Sequence, residues 1–275
     1  MSIPSPEIPE NPEIFVRPCR GLEELGACVR LQAAVWGLAE SEIVPRRSFV
    51  VASHIGGQVI GAFDPSRAGI ASGVIGFAMA LPALAPRSSP AAGVRPYLHS
   101  HMLAVEPGYR NRGIGRRLKL FQREEALARG IQHMEWTFDP LEIKNSYLNI
   151  HRLGAISRKY VSNMYGVSSS RLQGTLPTDR LFAEWWMDSA RVRCAIEGKS
   201  FSSPPVEETV MVPREIGEWK TDQAGLERAF TIQRQNRERL ERAFARGLAV
   251  TGYRVDGGNG VFELGRLDAP GASSP

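Results

Sequence analysis

Three arginines and two glycines stand close together in the segment RNRGIGR, residues 110–116. A helix is predicted to begin inside this segment, because Ile114, Leu118 and Phe121 recur at helical spacing. The first N–H groups of a helix lack internal partners, and glycine allows an anion to approach them closely. With the arginine charges added, the segment is a candidate binding site for a pyrophosphate.

Taken alone, the segment fits a turn followed by a solvated basic helix face better than it fits an anion site. It lacks the Lys-Ser/Thr pair of a P-loop. Leu118 also stands where the G-x-G-x-x-G pattern requires its third glycine. The glycine spacing therefore needs support from neighbouring segments.

Two histidines, His99 and His101, precede this segment on a predicted strand. Residues two apart on a strand share a face at roughly 6.5 to 7 Å. An imidazole titrates close to neutral pH and can accept a proton from an attacking amine. The alternatives are a buried, hydrogen-bonded histidine or a chance pair without the third ligand that zinc needs. Glu106 is a weaker candidate base, since a solvated turn residue is its more expected role.

Residues 97–165 are predicted to alternate between strands and helices, which indicates an α/β fold with a largely parallel segment. The sequence patterns predict strands at 14–20, 48–55, 58–63, 73–81, 97–105, 131–138 and 155–165, and helices at 21–37, 113–130 and 141–154. Residues 83–96, rich in Pro, Ser and Ala, are predicted to be a flexible connector.

The last hundred residues carry weaker patterns. Strands are predicted at 180–187 and 207–213, and a hairpin is predicted over 247–267 around the sequence DGGNG. A long polar helix over 222–246 would turn Leu226, Phe230, Leu240 and Phe244 inward. Of the adjacent Trp185 and Trp186, only one can line a given pocket, and core packing is their more expected role.

The motifs in residues 97–160 resemble those of the GCN5-related N-acetyltransferases (GNAT). Arg-x-x-Gly-x-Gly follows a strand that ends LAV-x-P-x-Y, and the next strand, MEWTF, is followed by Asn145 and LNIHRLGA. The segments WTFDPL, NMYG and PTDRLFAEWW further resemble a subgroup of predicted acetyltransferases with an extended C-terminal region. Order and spacing make this resemblance far more specific than the glycines alone.

The resemblance implies a GNAT-like mixed α/β sheet that binds acetyl-CoA or another short-chain acyl-CoA. It also implies that the strand splays apart near residues 103–105, whose backbone would bind the pantetheine arm and face the thioester oxygen. The implied cofactor-binding residues are Leu103, Ala104, Val105, Arg110, Asn111, Arg112, Gly113, Ile114, Gly115, Arg116 and Asn145. No metal site is implied.

The resemblance also bears on proton transfer. His99 stands where several family members carry a glutamate base, and His-x-His resembles the paired histidines of arylalkylamine N-acetyltransferases. His99 and His101 are therefore the candidate catalytic residues. The family often has a tyrosine acid where this chain has Ile150, so the acid is left open among Tyr147, Tyr160, Tyr165 and water.

Patterns and resemblance together divide the chain into four parts. They are a disordered lead at 1–13, a GNAT catalytic domain at 14–170, an extension at 171–266 and a flexible tail at 267–275. The extension has extra strands and a long helix. It would complete the sheet, cover the acceptor cleft or contribute to a possible homodimer. Asp179 and Arg180 are either a turn ion pair or an anchor for a charged acceptor.

Composition limits the functional classes. The 275 residues carry a net charge of +5 and are 43% hydrophobic, which favours acidic partners and permits a sizeable core. The arginines cluster at one strand–helix junction rather than along a stripe, so no nucleic-acid partner is expected. Three scattered cysteines, and the lack of a signal-peptide pattern or an apolar membrane span, favour a cytoplasmic protein that does not bind membranes.

The sequence therefore predicts an N-acyltransferase. It would move an acetyl, succinyl or other short acyl group from acyl-CoA to a small amine or amino acid acceptor. Direct attack in a ternary complex is expected, because no cysteine near the site suggests an acyl-enzyme. The alternative is a non-catalytic acyl-CoA-binding regulatory protein, which the absence of the usual tyrosine at Ile150 favours.

Overall fold

A computed structural model describes residues 13–267, apart from residues 68, 70, 87–92, 167, 171–172 and 202. The predicted lead and tail lie outside the described residues, except for residues 13 and 267. The helices and strands in chain order are β1 Phe15–Pro18, α1 Gly21–Trp36, α2 Arg46–His54, β2 Gln58–Phe63, β3 Val74–Pro86, β4 Val94–Val105, α3 Ile114–Ala128, β5 His133–Phe138, α4 Ile143–Ser146, β6 Tyr160–Val161, β7 Arg180–Trp186, α5 Ala190–Glu197, β8 Glu208–Val212, α6 Ile216–Trp219, α7 Leu226–Ala245, β9 Leu248–Asp256 and β10 Asn259–Arg266.

The main sheet has seven strands in the order β1-β2-β3-β4-β5-β7-β6. Neighbouring strands are antiparallel except β4 and β5, which are parallel. The predicted mixed α/β class is confirmed. The prediction of a largely parallel segment is wrong, because β7 runs back beside β5 in the position where a parallel neighbour was expected.

Helices cover both faces of the main sheet. Helices α1 and α2 pack on one face through a cluster that contains Leu25, Phe49 and Phe77. Helix α3 packs on the other face, where Ile114 and Leu118 meet Ile60 and Ile75. The gap between β4 and β5 therefore opens between an α1–α2 layer and the N-terminal half of α3.

The C-terminal strands form a second sheet in the order β8-β10-β9, with the predicted hairpin between β9 and β10. One apolar cluster joins this sheet to the main one and includes Trp136 of β5, Leu181 of β7 and Phe262 of β10. Residues 180–186, assigned from sequence to the extension, are a strand of the main sheet.

Residues 48–55, predicted as a strand, lie mostly in helix α2. Phe49 and Ala52 are fully buried three positions apart, whereas Val51 is 53% exposed. The aromatic and β-branched residues of this segment favour a strand. Its buried positions nevertheless follow a helical period, so packing of that face in the buried cluster makes the segment a helix. Gly56 and Gly57 consequently join a helix to β2 rather than two strands.

Two other predicted segments differ in extent. The predicted connector at 83–96 is largely strand where it is described, since β3 continues to Pro86 and β4 begins at Val94. The predicted strand at 155–165 is reduced to the two residues of β6 and isolated bridges at Ile156 and Ser157.

Helix α5 was not predicted, although it has two terminal signals. The Ser189 hydroxyl caps its first turn by accepting a bond from the Val192 amide, and Gly198 ends it in a left-handed conformation.

Helix α7 is present, and Leu226 and Phe244 pack against the apolar cluster as predicted. Leu240 is buried as expected, whereas Phe230 is 45% exposed. The buried face instead includes Gln233 and Asn236, whose amides each donate to a backbone carbonyl at 2.9 Å. Among the described residues, no helix combines the length and apolar content needed to cross a bilayer.

Candidate active site

Strand β4 carries a bulge at His101. Ser100 pairs with Ala80 and Met102 pairs with Met79, so His101 is an extra residue without a partner on β3. A bulge shifts the alternation of side chains along a strand. Ser100 faces α3, where its hydroxyl meets Gln122, whereas Met102 packs in the α1–α2 cluster. The bulge therefore brings side chains from both faces of β4 to one point.

Strands β4 and β5 separate immediately next to this bulge. Their parallel pairing is limited to Leu98 with Met134 and His99 with Glu135. From Ser100 onward β4 has no partner on β5, so a gap opens beside residues 103–105. Leu103, Ala104 and Val105 lie on this open side, where the resemblance implies that the strand splays.

The segment 110–116 forms the turn that leads from β4 into α3, and we call it the cradle. Asn111 and Gly113 both adopt positive φ values, 61° and 76°. The Arg117 amide donates to the Gly113 carbonyl at 3.0 Å, so the amides of Ile114, Gly115 and Arg116 precede the first helical bond. A Cβ added to Gly113 would meet nothing within 4 Å, so conformation rather than space requires glycine there.

The three cradle arginines differ in placement. Arg110 and Arg112 are exposed, with Arg112 lying 5.1 Å from the centre of the Tyr109 ring. Arg116 instead donates to the Ile196 carbonyl at the end of α5, at 2.5 Å. Burial, together with the nearby Arg152, lowers the pKa of Arg116. Arg116 thus ties the cradle to the C-terminal part of the chain.

A cavity of about 510 Å³ occupies the gap between β4 and β5. Four segments line it: the loop after α1, strand β4 with the facing side of α3, the end of β5 with α4, and the segment before β7. Its wall includes Trp36, Glu42, Ser100, His101, Leu103, Lys119, Trp136, Thr137, Asp139, Asn145, Tyr165 and Arg180.

The two histidines are adjacent but have different surroundings. Their ring centres lie 6.4 Å apart, in accord with the expected shared face. His101 lines the cavity, whereas His99 lies behind it with its Nδ1 3.2 Å from the Glu135 carboxylate. The resemblance gives His99 the position of the family's glutamate base, whereas the geometry favours His101 as the residue in contact with a bound substrate.

The electrostatics of this pair suit a proton acceptor. The His101 side chain is solvent-exposed, yet the protein around it partly desolvates the ring and, with a smaller contribution from the nearby His99, lowers its pKa. Burial alone would raise the pKa of Glu135, but hydrogen bonds from His99 and Tyr97 lower it overall. His101 is therefore neutral near pH 7, with an anionic carboxylate behind its neighbour.

Lys119 was not predicted from sequence as a site residue, because its position among other basic residues is typical of a solvated face of α3. Its side chain is nevertheless buried and lines the cavity. Its Nζ donates to the Ser100 hydroxyl at 2.7 Å and lies 3.6 Å from the centre of the Trp136 ring. Desolvation holds the pKa of Lys119 well below its ordinary value.

The candidate acids are not equivalent in the structure. Ile150 is buried in the apolar core, and Tyr147 stacks on His151. Tyr160 donates to Asp179 at 2.7 Å, and burial raises its pKa. Tyr165 alone among these three tyrosines lines the cavity, where its hydroxyl lies 2.9 Å from Thr137 Oγ1.

The structure places the other sequence candidates in different surroundings, and only some of them line the cavity. Asn145 lines it near α4, and Glu106 instead pairs with Arg67 at 2.6 Å. Asp179 is fully buried and pairs with Arg237 of α7 rather than forming a turn pair with its neighbour Arg180. Trp185 is fully buried in the core, as expected. In the described part of the chain, no group of three or more His, Cys, Asp or Glu side chains is placed to hold a metal.

Two contacts that close the cavity were also missed. Glu42 accepts hydrogen bonds from the Ser169 amide at 2.8 Å and the Ser168 hydroxyl at 3.0 Å. Lys220 of the C-terminal part is buried between Asp139 and Glu142, with both distances 2.7 Å. Partners 78 to 127 residues apart leave no local pattern in the sequence.

Part of the chain matches a known protein family. A family model described as "Acetyltransferase (GNAT) family" matches residues 37–145, which include α2, β2 to β5, α3 and the cradle. The chain is therefore similar to the GNAT family over residues 37–145. No curated protein matches the chain significantly in sequence.

Two solved structures of one protein resemble this chain in fold over 63–64% of its length. NAA60 of Arabidopsis thaliana in complex with acetyl-CoA is 16% identical, with a TM-score of 0.53 over 64% of this chain and 100% of that one. The same protein in complex with a bisubstrate analogue is 16% identical, with a TM-score of 0.50 over 63% and 99%. An N-acetyltransferase from Staphylococcus aureus Mu50 is also 16% identical, with a TM-score of 0.47 over 64% and 99%.

Proposed function

We propose that this protein is an N-acyltransferase that moves a short acyl group from acyl-CoA to an amine by direct attack. The observation that carries the proposal is adjacency: Leu103 lines the cavity beside His101, and its Cδ2 lies 3.5 Å from where a Cβ on Gly115 of the cradle would be. NAA60, which shares the GNAT fold, is known in complex with acetyl-CoA. The acyl-CoA would supply an activated thioester carbonyl beside His101.

The cradle fits a pyrophosphate. The amides of Ile114, Gly115 and Arg116 open the positive end of α3, and the exposed Arg110 and Arg112 add charge. The unpaired edge of β4 at residues 103–105 offers backbone groups to a pantetheine arm. An amide there, aimed at the thioester oxygen, would stabilise its developing negative charge. Asn145 would face the arm from α4.

His101 would accept the proton of the attacking amine, directly or through one water. The new bond joins the amine nitrogen to the acyl carbon, and the bond from that carbon to sulfur breaks. The thiolate leaves, and the Tyr165 hydroxyl or water returns a proton to it. His99, held by Glu135, would take the proton from His101 through water towards the surface.

The acceptor would enter between the loop after α1 and the segment before β7, which contribute Trp36, Glu42 and Arg180 to the wall. A pocket of this size and polarity fits a small amine or an amino acid. The possible homodimer, the division into domains and the cytoplasmic location stay predictions.

The test is release of CoA thiol from acetyl-CoA and succinyl-CoA over a panel of amines and amino acids. Turnover with at least one pair, reduced in His101→Gln, is the expected result. Tight CoA binding by calorimetry without thiol release from any pair would favour the regulatory alternative instead.

A further inference from the structure

The closed end of the β4–β5 gap carries an unusual set of polar groups. The gap starts where pairing stops, after His99 and Glu135, and the next residues on each strand are Ser100 and Trp136. Lys119 of α3 reaches this point, with its Nζ at 2.7 Å from Ser100 Oγ and 3.6 Å from the Trp136 ring centre. All three side chains line the cavity.

These groups have more donors than acceptors. Ser100 accepts from Lys119 and donates to Gln122 Oε1 at 3.1 Å, so its hydroxyl hydrogen is used. The buried Gln122 Nε2 has no partner among the described residues. Lys119 has no carboxylate within ion-pair distance in the described chain and keeps at least one N–H unused. The neighbouring Gln58 Oε1 also lacks a partner among the described residues, but neither glutamine lines the cavity, so the Lys119 ammonium is the spare donor that faces it.

A buried amine without a carboxylate destabilises the folded protein, because it has lost its hydration. An apolar residue of similar length would pack against Trp136 without that loss. An acetyl group reaching this point would present only a methyl to the spare donor. An acyl group that ends in a carboxylate would instead supply the missing acceptor and the missing negative charge.

From this donor surplus we infer that Lys119 and Ser100 select an acyl group that ends in a carboxylate. The acyl donor is then the CoA thioester of a short dicarboxylic acid, of the malonyl, succinyl or glutaryl type. This inference rests on the proposed function, because it takes the acyl group to lie in the β4–β5 gap. It adds the chemical class of the acyl-CoA. Binding at the cradle does not distinguish one acyl-CoA from another.

The desolvated state of Lys119 gives the inference a second signature. A carboxylate that binds beside a lysine raises its lowered pKa again, so the lysine takes up protons in the pH range between the two values. Binding of succinyl-CoA should therefore take up more protons than binding of acetyl-CoA. Calorimetry in two buffers with different ionisation enthalpies measures this difference.

The experiment compares dissociation constants for CoA, acetyl-CoA, malonyl-CoA, succinyl-CoA and glutaryl-CoA by calorimetry, with no acceptor present. We expect at least one dicarboxylic thioester to bind about 10- to 100-fold more tightly than acetyl-CoA. Lys119→Met should remove most of that preference, together with the excess proton uptake. Ser100→Ala, a smaller change in case Lys119→Met folds poorly, should reduce the preference in the same direction.

Lys159→Met is the matched control. The Lys159 ammonium also lies over an aromatic ring, that of Phe182 at 4.3 Å, but outside the cavity. It should leave the preference unchanged. Equal affinity for acetyl-CoA and every dicarboxylic thioester would overturn the inference, as would an acyl adduct on Lys119 found by mass spectrometry. Because binding is measured without turnover, such a failure is distinguishable from an absence of acyl transfer.

Discussion

The cradle and the cavity beside it differ in how they are built. The cradle consists of consecutive residues, 110–116, whose positive φ values and open helix amides arise within one turn. The cavity wall is assembled from segments as distant as Trp36 and Arg180, and it is braced by Lys220 from beyond the main sheet. The proposed cofactor binding would thus be a local property of this chain, whereas the proposed acceptor and acyl selection would depend on tertiary structure.

The largest effect is expected from replacing His101, the proposed proton acceptor in the cavity wall. His101→Ala should lower kcat/KM by about 10²- to 10⁴-fold, whereas His99→Ala, acting from behind it, should cost about tenfold. Affinity for CoA should be unchanged in both variants. Steady-state kinetics and calorimetry measure these quantities. The reverse order of the two losses would return the role of base to His99.

The same pair predicts a pH dependence. Since the pKa of His101 is lowered, the ring stays neutral to a lower pH than a free histidine. With an acceptor that remains neutral between about pH 5 and pH 8, kcat/KM should fall only below the ordinary histidine pKa of about 6.5. This acid limb should vanish in His101→Gln. A limb at or above the ordinary value would contradict the desolvation of His101.

The two histidines also show which features of the site can be predicted from the sequence. Strand alternation predicted that they share a face, but only the bulge at His101 decides which of them meets the cavity. A bulge depends on register with β3, and no single-strand pattern encodes it. Likewise, RNRGIGR and LNIHRLGA are contiguous and led to the cradle and to Asn145. Lys119 and Glu135 gain their significance from partners that folding brings to them.

A third prediction addresses Lys220, which braces the cavity wall through Asp139 and Glu142. Lys220→Met leaves Asp139, which is only 8% exposed, without its cation. The free energy of unfolding should fall by about 3–5 kcal/mol, because a buried carboxylate is left unpaired. Urea unfolding measures the change.

Lys199→Met provides the comparison for this brace. Lys199 pairs with Glu197 while its side chain is 70% exposed, so its loss should lower the free energy of unfolding far less than the loss of Lys220. Similar losses in both variants would show that the C-terminal part does not brace the cavity through Lys220.

The cradle is tested by adding a charge without changing the fold. A Cβ on Gly115 would lie 3.5 Å from Leu103 Cδ2, an ordinary contact, so Gly115→Glu should fold. Its carboxylate would repel a phosphate at the start of α3, and affinity for CoA should fall about 30- to 100-fold. Calorimetry with CoA alone measures this. Gly217→Glu, in α6 with open space around it, is the control and should bind CoA normally.

The smallest effect is expected at the leaving group. A thiol with a pKa near that of cysteine, about 8.5, departs as a thiolate near neutral pH without much help. Tyr165→Phe should therefore lower kcat by less than about tenfold, although its hydroxyl lies in the cavity. Tyr147→Phe, outside the cavity wall, should change kcat less still. If Tyr165→Phe instead abolished turnover while CoA binding persisted, protonation of the thiolate would be rate-limiting. The missing family tyrosine at Ile150 would then be functionally replaced from the segment before β7, making acid catalysis another property of the assembled wall.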